Sequence, residues 1–182
     1  MALRDTILQK SHELFYKHGF HDTGVELLAK QAGTTKRTLY AHFGSKEGLI
    51  EAVLNYRHQT FMTQLQDAFE RYAVNKTATA VAICYFDFLK RWTSSPDFHG
   101  CMFINVCAEY ADIQSSPHKI AAQHKAEVRQ WLLDKFVQVE ADTDHAKQLS
   151  DMLFVLGEGM IVAVQTGQEM PDLDHKLLAF FN

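Results

Sequence analysis

The sequence predicts an all-α protein, and three observations predict it. Only three prolines occur, Pro96, Pro117 and Pro171, and each falls at a break between segments whose apolar residues recur at helical spacing. Alternation of β-branched residues, the mark of a strand, is almost absent. An apolar content of 47%, with 12% aromatic, is ample for a packed core in 182 residues. Helices are accordingly placed near 3–18, 25–32, 36–43, 46–74, 77–93, 100–112, 117–139, 144–167 and 172–181.

The first helix, 3–18, rests on periodicity alone. In 25–32, Leu28, Ala29 and Ala32 form an apolar face, and Gly33 suits the position just past a helix end. Thr35 is placed to cap 36–43. The 46–74 segment starts after Ser45, a plausible N-cap, with Glu47 in the first turn where the helix dipole favours an acid. Its length suggests a strut joining a small head to a larger body. Residues 77–93, 100–112 and 172–181 rest again on periodicity. Helices 117–139 and 144–167 are long, and the second is very apolar through Met152–Val164, Glu158 apart. Gly157 and Gly159 inside it cost about 1 kcal/mol each relative to Ala, unless close packing uses the missing side chains. Neither an internal repeat nor a low-complexity tract is found. The expected division is a head at 1–45 and a helical body at 46–182.

Charge divides unevenly along the chain. The formal charge is −4 and the isoelectric point about 6.2, so no global polycation argument applies. Yet residues 1–60 hold eight Lys/Arg against six Asp/Glu, and nothing acidic lies between Glu26 and Glu47. Lys30, Lys36, Arg37 and Lys46 all fall in that gap or at its edge.

Several function classes are disfavoured. Ten histidines invite a search for metal or catalytic sites, but no HExxH, zinc-type Cys/His spacing, phosphate-binding glycine loop or GxSxG occurs. His18 and His21 are three apart but straddle an expected helix end. The expectation is a non-enzyme with no cofactor and no metal. No leader and no bilayer-length apolar run is seen. Cys84, Cys101 and Cys107, odd in number and without CxxC spacing, suit a reducing cytoplasm.

Residues 25–43 fit a helix-turn-helix. At 100° per residue, Leu39 and Phe43 share the inner face of the second helix. Arg37 and Ala41 point directly away from the core, Thr38 and Tyr40 flank them, and Lys36 and His42 fall nearer the edges. Such a face can read base edges in a major groove or grip phosphates beside it. Lys46 adds a cation beside the free N–H groups of the next helix, a suitable phosphate clamp. From spacing alone, a solvated helix in plain αα packing is an equal alternative.

The run AGTTKRTLYAHFGSKEGL, preceded by GFHDTGVELLAKQ, resembles the N-terminal signature of the TetR family of bacterial transcriptional regulators. The resemblance covers about residues 5–54 and implies a dimeric DNA-binding regulator with a divergent ligand-binding body. By it, Thr38, Tyr40, His42 and Lys46 stand where family members touch DNA, mostly its backbone. Thr35 opens the same helix, and Lys36, Arg37 and Ala41 occupy variable positions where sequence choice resides. Gly24 departs from the usual Ser or Thr that caps the preceding helix and touches phosphate, which moves the expected cap to Thr23. Arg37 replaces a frequent Gly and adds a forked donor suited to guanine.

For the body, the resemblance implies a homodimer through helices 117–139 and 144–167 and a small-molecule inducer. A two-fold dimer suits a palindromic operator with half-sites about 34–36 Å apart or a multiple of that. Phe61, Met62, Tyr85, Phe86, Phe88, Phe103 and Tyr110 are candidate cavity residues or plain core. GCMFINVCAEYAD, residues 100–112, resembles a segment shared by a subset of these regulators. It sets Asn105 and Glu109 at i, i+4 among apolar neighbours, as ligand contacts or as solvent-facing groups. Glu158 is either a contact for a cationic ligand or a pairing group across the dimer. Some regulators with a similar Gly-Cys segment sense electrophiles or oxidants, which makes Cys101, near a helix start, a second kind of sensor. Cys107 reads as a small core residue. The sequence thus leads to the expectation of a cytoplasmic repressor released by an inducer; the remaining alternative is an interaction scaffold.

Overall fold

The computed structural model describes residues 2–72, 77–170 and 178–181. Eight α-helices occur among them: α1 Leu3–His18, α2 Val25–Gln31, α3 Lys36–Phe43, α4 Lys46–Tyr72, α5 Ala78–Thr93, α6 Met102–Glu109, α7 Ser116–Val137 and α8 Thr143–Gln165. A 3₁₀ turn follows at Ala179–Phe181, and no strand is found among the described residues. The predicted all-α class is therefore observed. The helix expected at 172–181 lies outside the described residues over 172–177, as do positions 73 and 74 of the expected 46–74 helix.

Local chemistry sets the helix boundaries. Thr35 Oγ1 accepts from the Thr38 N–H at 3.2 Å, Thr77 Oγ1 from Ala80 N–H at 3.2 Å, and Asp142 Oδ1 from Asp144 N–H at 2.9 Å. Ser45 Oγ accepts from Gly48 N–H at 3.0 Å, as predicted for the start of α4. Gly33 and Gly167 have positive φ just past α2 and α8, and the paired end-of-helix hydrogen bonds form at both (Thr34 N–H to Ala29 C=O, Gln168 N–H to Ala163 C=O).

The sixth helix is shorter than the predicted 100–112. The chain enters it through Gly100 at φ +88°, with the Gln165 side chain in the space a Cβ would need. It leaves after Glu109, and Asp112 Oδ1 then accepts from Gln114 N–H at 2.8 Å, a side-chain turn that competes with helix.

The residues fall into two compact units. The first comprises residues 1–60 with 102–124, the second 61–101 with 125–182; α4 and α7 supply residues to both. In the first unit Ile7, Phe15, Phe20, Leu28, Leu39, Leu49 and Ile50 are fully buried, and the Phe15 and Phe20 rings stack at 5.1 Å. The second is built on α5 packed against α8, with Tyr85, Phe86, Leu89, Leu132, Phe136 and Leu153 buried. Phe181 lies against both Phe86 and Phe136, each at 6.2 Å, and its carbonyl accepts from Thr79 Oγ1 at 3.0 Å. No helix among the described residues is long and apolar enough to cross a membrane.

Candidate nucleic-acid interface

Helices α1, α2 and α3 pack together, and the α2–α3 pair has the form of a helix-turn-helix. The anchor of α3 is Leu39, with no exposed surface. Phe43 was expected to share that role, but it is only half-buried, and the Arg4 guanidinium lies 5.0 Å above its ring. An apolar stem and a weakly hydrated cation cover what the core does not reach.

On the opposite side Thr35, Lys36, Arg37, Ala41 and His42 are exposed, and Thr38 and Tyr40 are half-exposed. Arg37 and Ala41 thus lie outward, as the helical arithmetic requires. Lys36 Nζ donates to Glu26 Oε1 at 2.9 Å, across from the first turn of α2. This hydrogen bond holds the Glu26 carboxyl below its ordinary range and raises the Lys36 ammonium. The Lys36 charge also lies 5.9 Å from the Tyr40 ring centroid. Thr35 and Thr38 hydroxyls meet at 3.0 Å. Lys46 is half-buried, and its Nζ donates to the His21 carbonyl at 3.1 Å.

Thr23 corrects the sequence reading. It is 1% exposed, and its hydroxyl donates to the Gly19 carbonyl at 2.6 Å. The N-cap of α2 is Gly24, with no side-chain cap hydrogen bond. The loop turns Thr23 inward to close its own backbone, so it neither caps α2 nor faces solvent.

The residues expected to line one ligand cavity belong to different units. In the first unit, Phe103 is buried and stacks on His124 at a centroid distance of 3.6 Å, while Asn105 is half-buried. His124 in turn meets His58, Nδ1 to Nδ1, at 3.0 Å. Glu109 is engaged with backbone rather than open to a ligand: it accepts from Phe20 N–H and His21 N–H at 2.9 and 2.6 Å.

In the second unit Phe61 meets Phe88 and Trp92 edge-on at 5.2 and 5.4 Å, Met62 is half-buried, and Tyr85 and Phe86 are each 1% exposed. Burial, with Glu158 and Cys101 nearby, pushes the Tyr85 hydroxyl far upward in pKa. Glu158 already has a partner in the same chain, since Lys125 Nζ donates to both its carboxylate oxygens at 2.7 Å. Lys125 Nζ also lies 3.5 Å from Cys101 Sγ, and the Cys101 N–H donates to Gln165 Oε1 at 3.0 Å. Cys101 is buried. Cys84 is buried too, and burial pushes its thiol up to about 11, which suits an inert core residue.

Sequence reasoning missed Lys125, His58 with His124, Gln165 and Arg4. Their partners lie 24 or more residues away, as in Lys125 with Cys101, and no short-range spacing signals such pairs. Among the described residues no cluster of three or more metal-ligating side chains occurs.

Residues 7–53 match the profile of the bacterial regulatory proteins, tetR family. Over 179 residues the chain is 27% identical to the HTH-type transcriptional repressor ComR of Escherichia coli K12, covering 93% of this chain and 83% of that protein. It is 25% identical over 176 residues to the HTH-type transcriptional regulator LmrA of Bacillus subtilis, covering 94% and 91%. The fold is similar to the crystal structure of a TetR-family transcriptional regulator from Streptomyces coelicolor, with a TM-score of 0.81, 24% identity and coverage of 98% and 90%.

Proposed function

Because the chain belongs to the TetR family of DNA-binding transcriptional regulators, we propose that it is a dimeric repressor that a small-molecule inducer releases from a palindromic operator. The observation that carries this reading is the outward face of α3, where Arg37 and Ala41 stand exposed on a helix capped by Thr35 and anchored by Leu39. Arg37 reads a base, Ala41 leaves room for close approach, and Thr38, Tyr40, His42 and Lys46 hold phosphates on either side. Lys36 joins them once DNA competes with Glu26. Residues 1–45 form the DNA-binding head and 46–182 the ligand-binding and dimerising body.

The dimer forms through α7 and α8. Val155 and Val162 are 67% and 43% exposed on α8, and a Cβ placed at Gly159 between them would meet nothing within 4 Å. A stripe of exposed apolar and small residues on one helix face suits a second copy of the same helix. Release follows from linkage: an inducer that fits the DNA-incompetent body better must weaken DNA binding, with α4 common to both parts. The similarity to a named repressor favours repression over activation, and cytoplasmic localisation follows from the task.

Selection of bound duplexes from a random-sequence library tests the whole reading. The expected result is an enriched palindrome bound by two copies; enrichment of a non-palindromic site by a monomer would overturn it. A second reading is cysteine sensing, favoured by the Lys125 ammonium 3.5 Å from Cys101 Sγ. Unchanged DNA release of Cys101→Ser by electrophiles and oxidants would eliminate it.

A further inference from the structure

Glu109 is the last residue of α6, where a carboxylate opposes the negative end of the helix dipole. Its location therefore calls for compensation, and the loop between α1 and α2 supplies it. Oε1 accepts from Phe20 N–H at 3.0 Å, and Oε2 accepts from Phe20 N–H at 2.9 Å and His21 N–H at 2.6 Å. Hydrogen bonds to an ionised acceptor are the strong kind, and the Glu109 side chain is only 24% exposed, the two bonds from Phe20 being partly buried and that from His21 exposed.

The loop is shaped for this grip. Gly19 has φ +81°, and a Cβ there would lie 3.0 Å from Glu109 Oε1, so a side chain would be both strained and crowded. Thr23 Oγ1 closes the loop by donating to the Gly19 carbonyl. The His21 ring packs on Tyr110, the residue after Glu109, at 4.8 Å, and the Tyr110 carbonyl is in turn hydrogen-bonded to His118 Nδ1 at 2.8 Å. The same His21 that donates its N–H to Glu109 offers its carbonyl to Lys46 Nζ at 3.1 Å. One residue thus receives α6 on one side and the first residue of α4 on the other.

We propose that Glu109 is a positioning residue for DNA binding, which fixes the Phe20–His21 backbone and through the His21 carbonyl aims the Lys46 ammonium at phosphate. The inference rests on the DNA-binding role of Lys46 proposed above.

Three variants, Glu109→Gln, Glu109→Ala and Lys46→Met, with the Glu109→Ala/Lys46→Met pair, test the proposal. The probe is the duplex that the wild-type protein enriches from a random library. Amide hydrogen exchange at Phe20 and His21 should accelerate at least about tenfold in Glu109→Ala and less in Glu109→Gln, which keeps one acceptor oxygen, with the Leu39 amide unchanged. Each single variant should lose about tenfold in affinity, and the pair should lose no more than the worse single. Additive losses, or unchanged exchange at Phe20 and His21, would overturn the positioning role. Failure of the wild type to enrich any duplex would overturn the regulator reading itself, and the exchange rates, measured without DNA, keep the two failures distinct.

Discussion

The ring of Tyr85 on α5 occupies the place where Gly157 on α8 would carry a side chain: an added Cβ would lie 2.6 Å from Tyr85 Cε1 and 3.0 Å from Leu89 Cδ1. The close approach of α5 and α8 depends on that hydrogen. Gly157→Ala is expected to lower stability by about 1–3 kcal/mol, because overpacking a filled core forces rotamer or backbone shifts. Gly159, two residues on, has open space at the same point. In a single copy Gly159→Ala should raise stability by up to about 1 kcal/mol through helix propensity, whereas in the proposed dimer the added methyl enters the α8 face offered to the second copy. Thermal melts of the two variants, taken at concentrations low enough to hold the chain monomeric, should therefore move in opposite directions.

Arg37→Ala is expected to relax specificity at one operator position by about 1–3 kcal/mol, the worth of a bidentate contact to guanine. Lys46→Ala should instead weaken all duplexes alike and flatten the salt dependence. Competition binding with single-base operator variants distinguishes them. Equal losses on specific and random DNA for Arg37→Ala would disprove the base-reading role.

Removing the competitor of Lys36 should help DNA binding. Both members of the Lys36–Glu26 pair are well exposed, so Glu26→Gln should leave stability nearly unchanged. It should tighten DNA binding several-fold at low salt, by roughly the value of one freed phosphate contact, and the gain should shrink as salt rises. Titrations at two ionic strengths check this.

His12 makes the head acid-sensitive. Its pKa falls from 6.5 to about 4, first through burial and then through Arg57, with Glu13 opposing. The ring packs against Tyr16 and Tyr56 at 5.9 and 5.5 Å, and its Nε2 is buried with no hydrogen-bond partner among the described residues. The folded state therefore holds the neutral form, while the unfolded chain takes up a proton below 6.5. Its contribution is complete above pH 6.5 and is lost as pH falls toward 4, amounting to about 3 kcal/mol across that window. His12→Phe, which keeps a ring there, should flatten the pH dependence of denaturant unfolding between those values.

Much of the head was legible because its signals are local. Caps at Thr35 and Ser45, the glycine turn at Gly33 and the period that faces Leu39 inward all act within four residues. Gly157 was legible as a close approach, though not which residue approached. The body's polar groups were not legible, since Glu109 reaches a loop 88 residues away and Glu158 finds Lys125 33 residues away. Spacing could identify both as odd carboxylates among apolar neighbours, but not what neutralised them. Thr23 failed for a different reason: cap propensity was assigned to a residue whose hydroxyl had a nearer acceptor behind it.

Seating α3 and presenting its outward face fall to different residues. Leu39 seats the helix, Thr35 begins it and Gly44, at φ +76°, ends it, while Arg37 and Ala41 stand exposed. If the proposed base-reading role holds, a duplicated copy of this gene could exchange those side chains, acquiring a new genomic address while inheriting an intact scaffold. Divergence of the target sequence would then be uncoupled from the risk of misfolding.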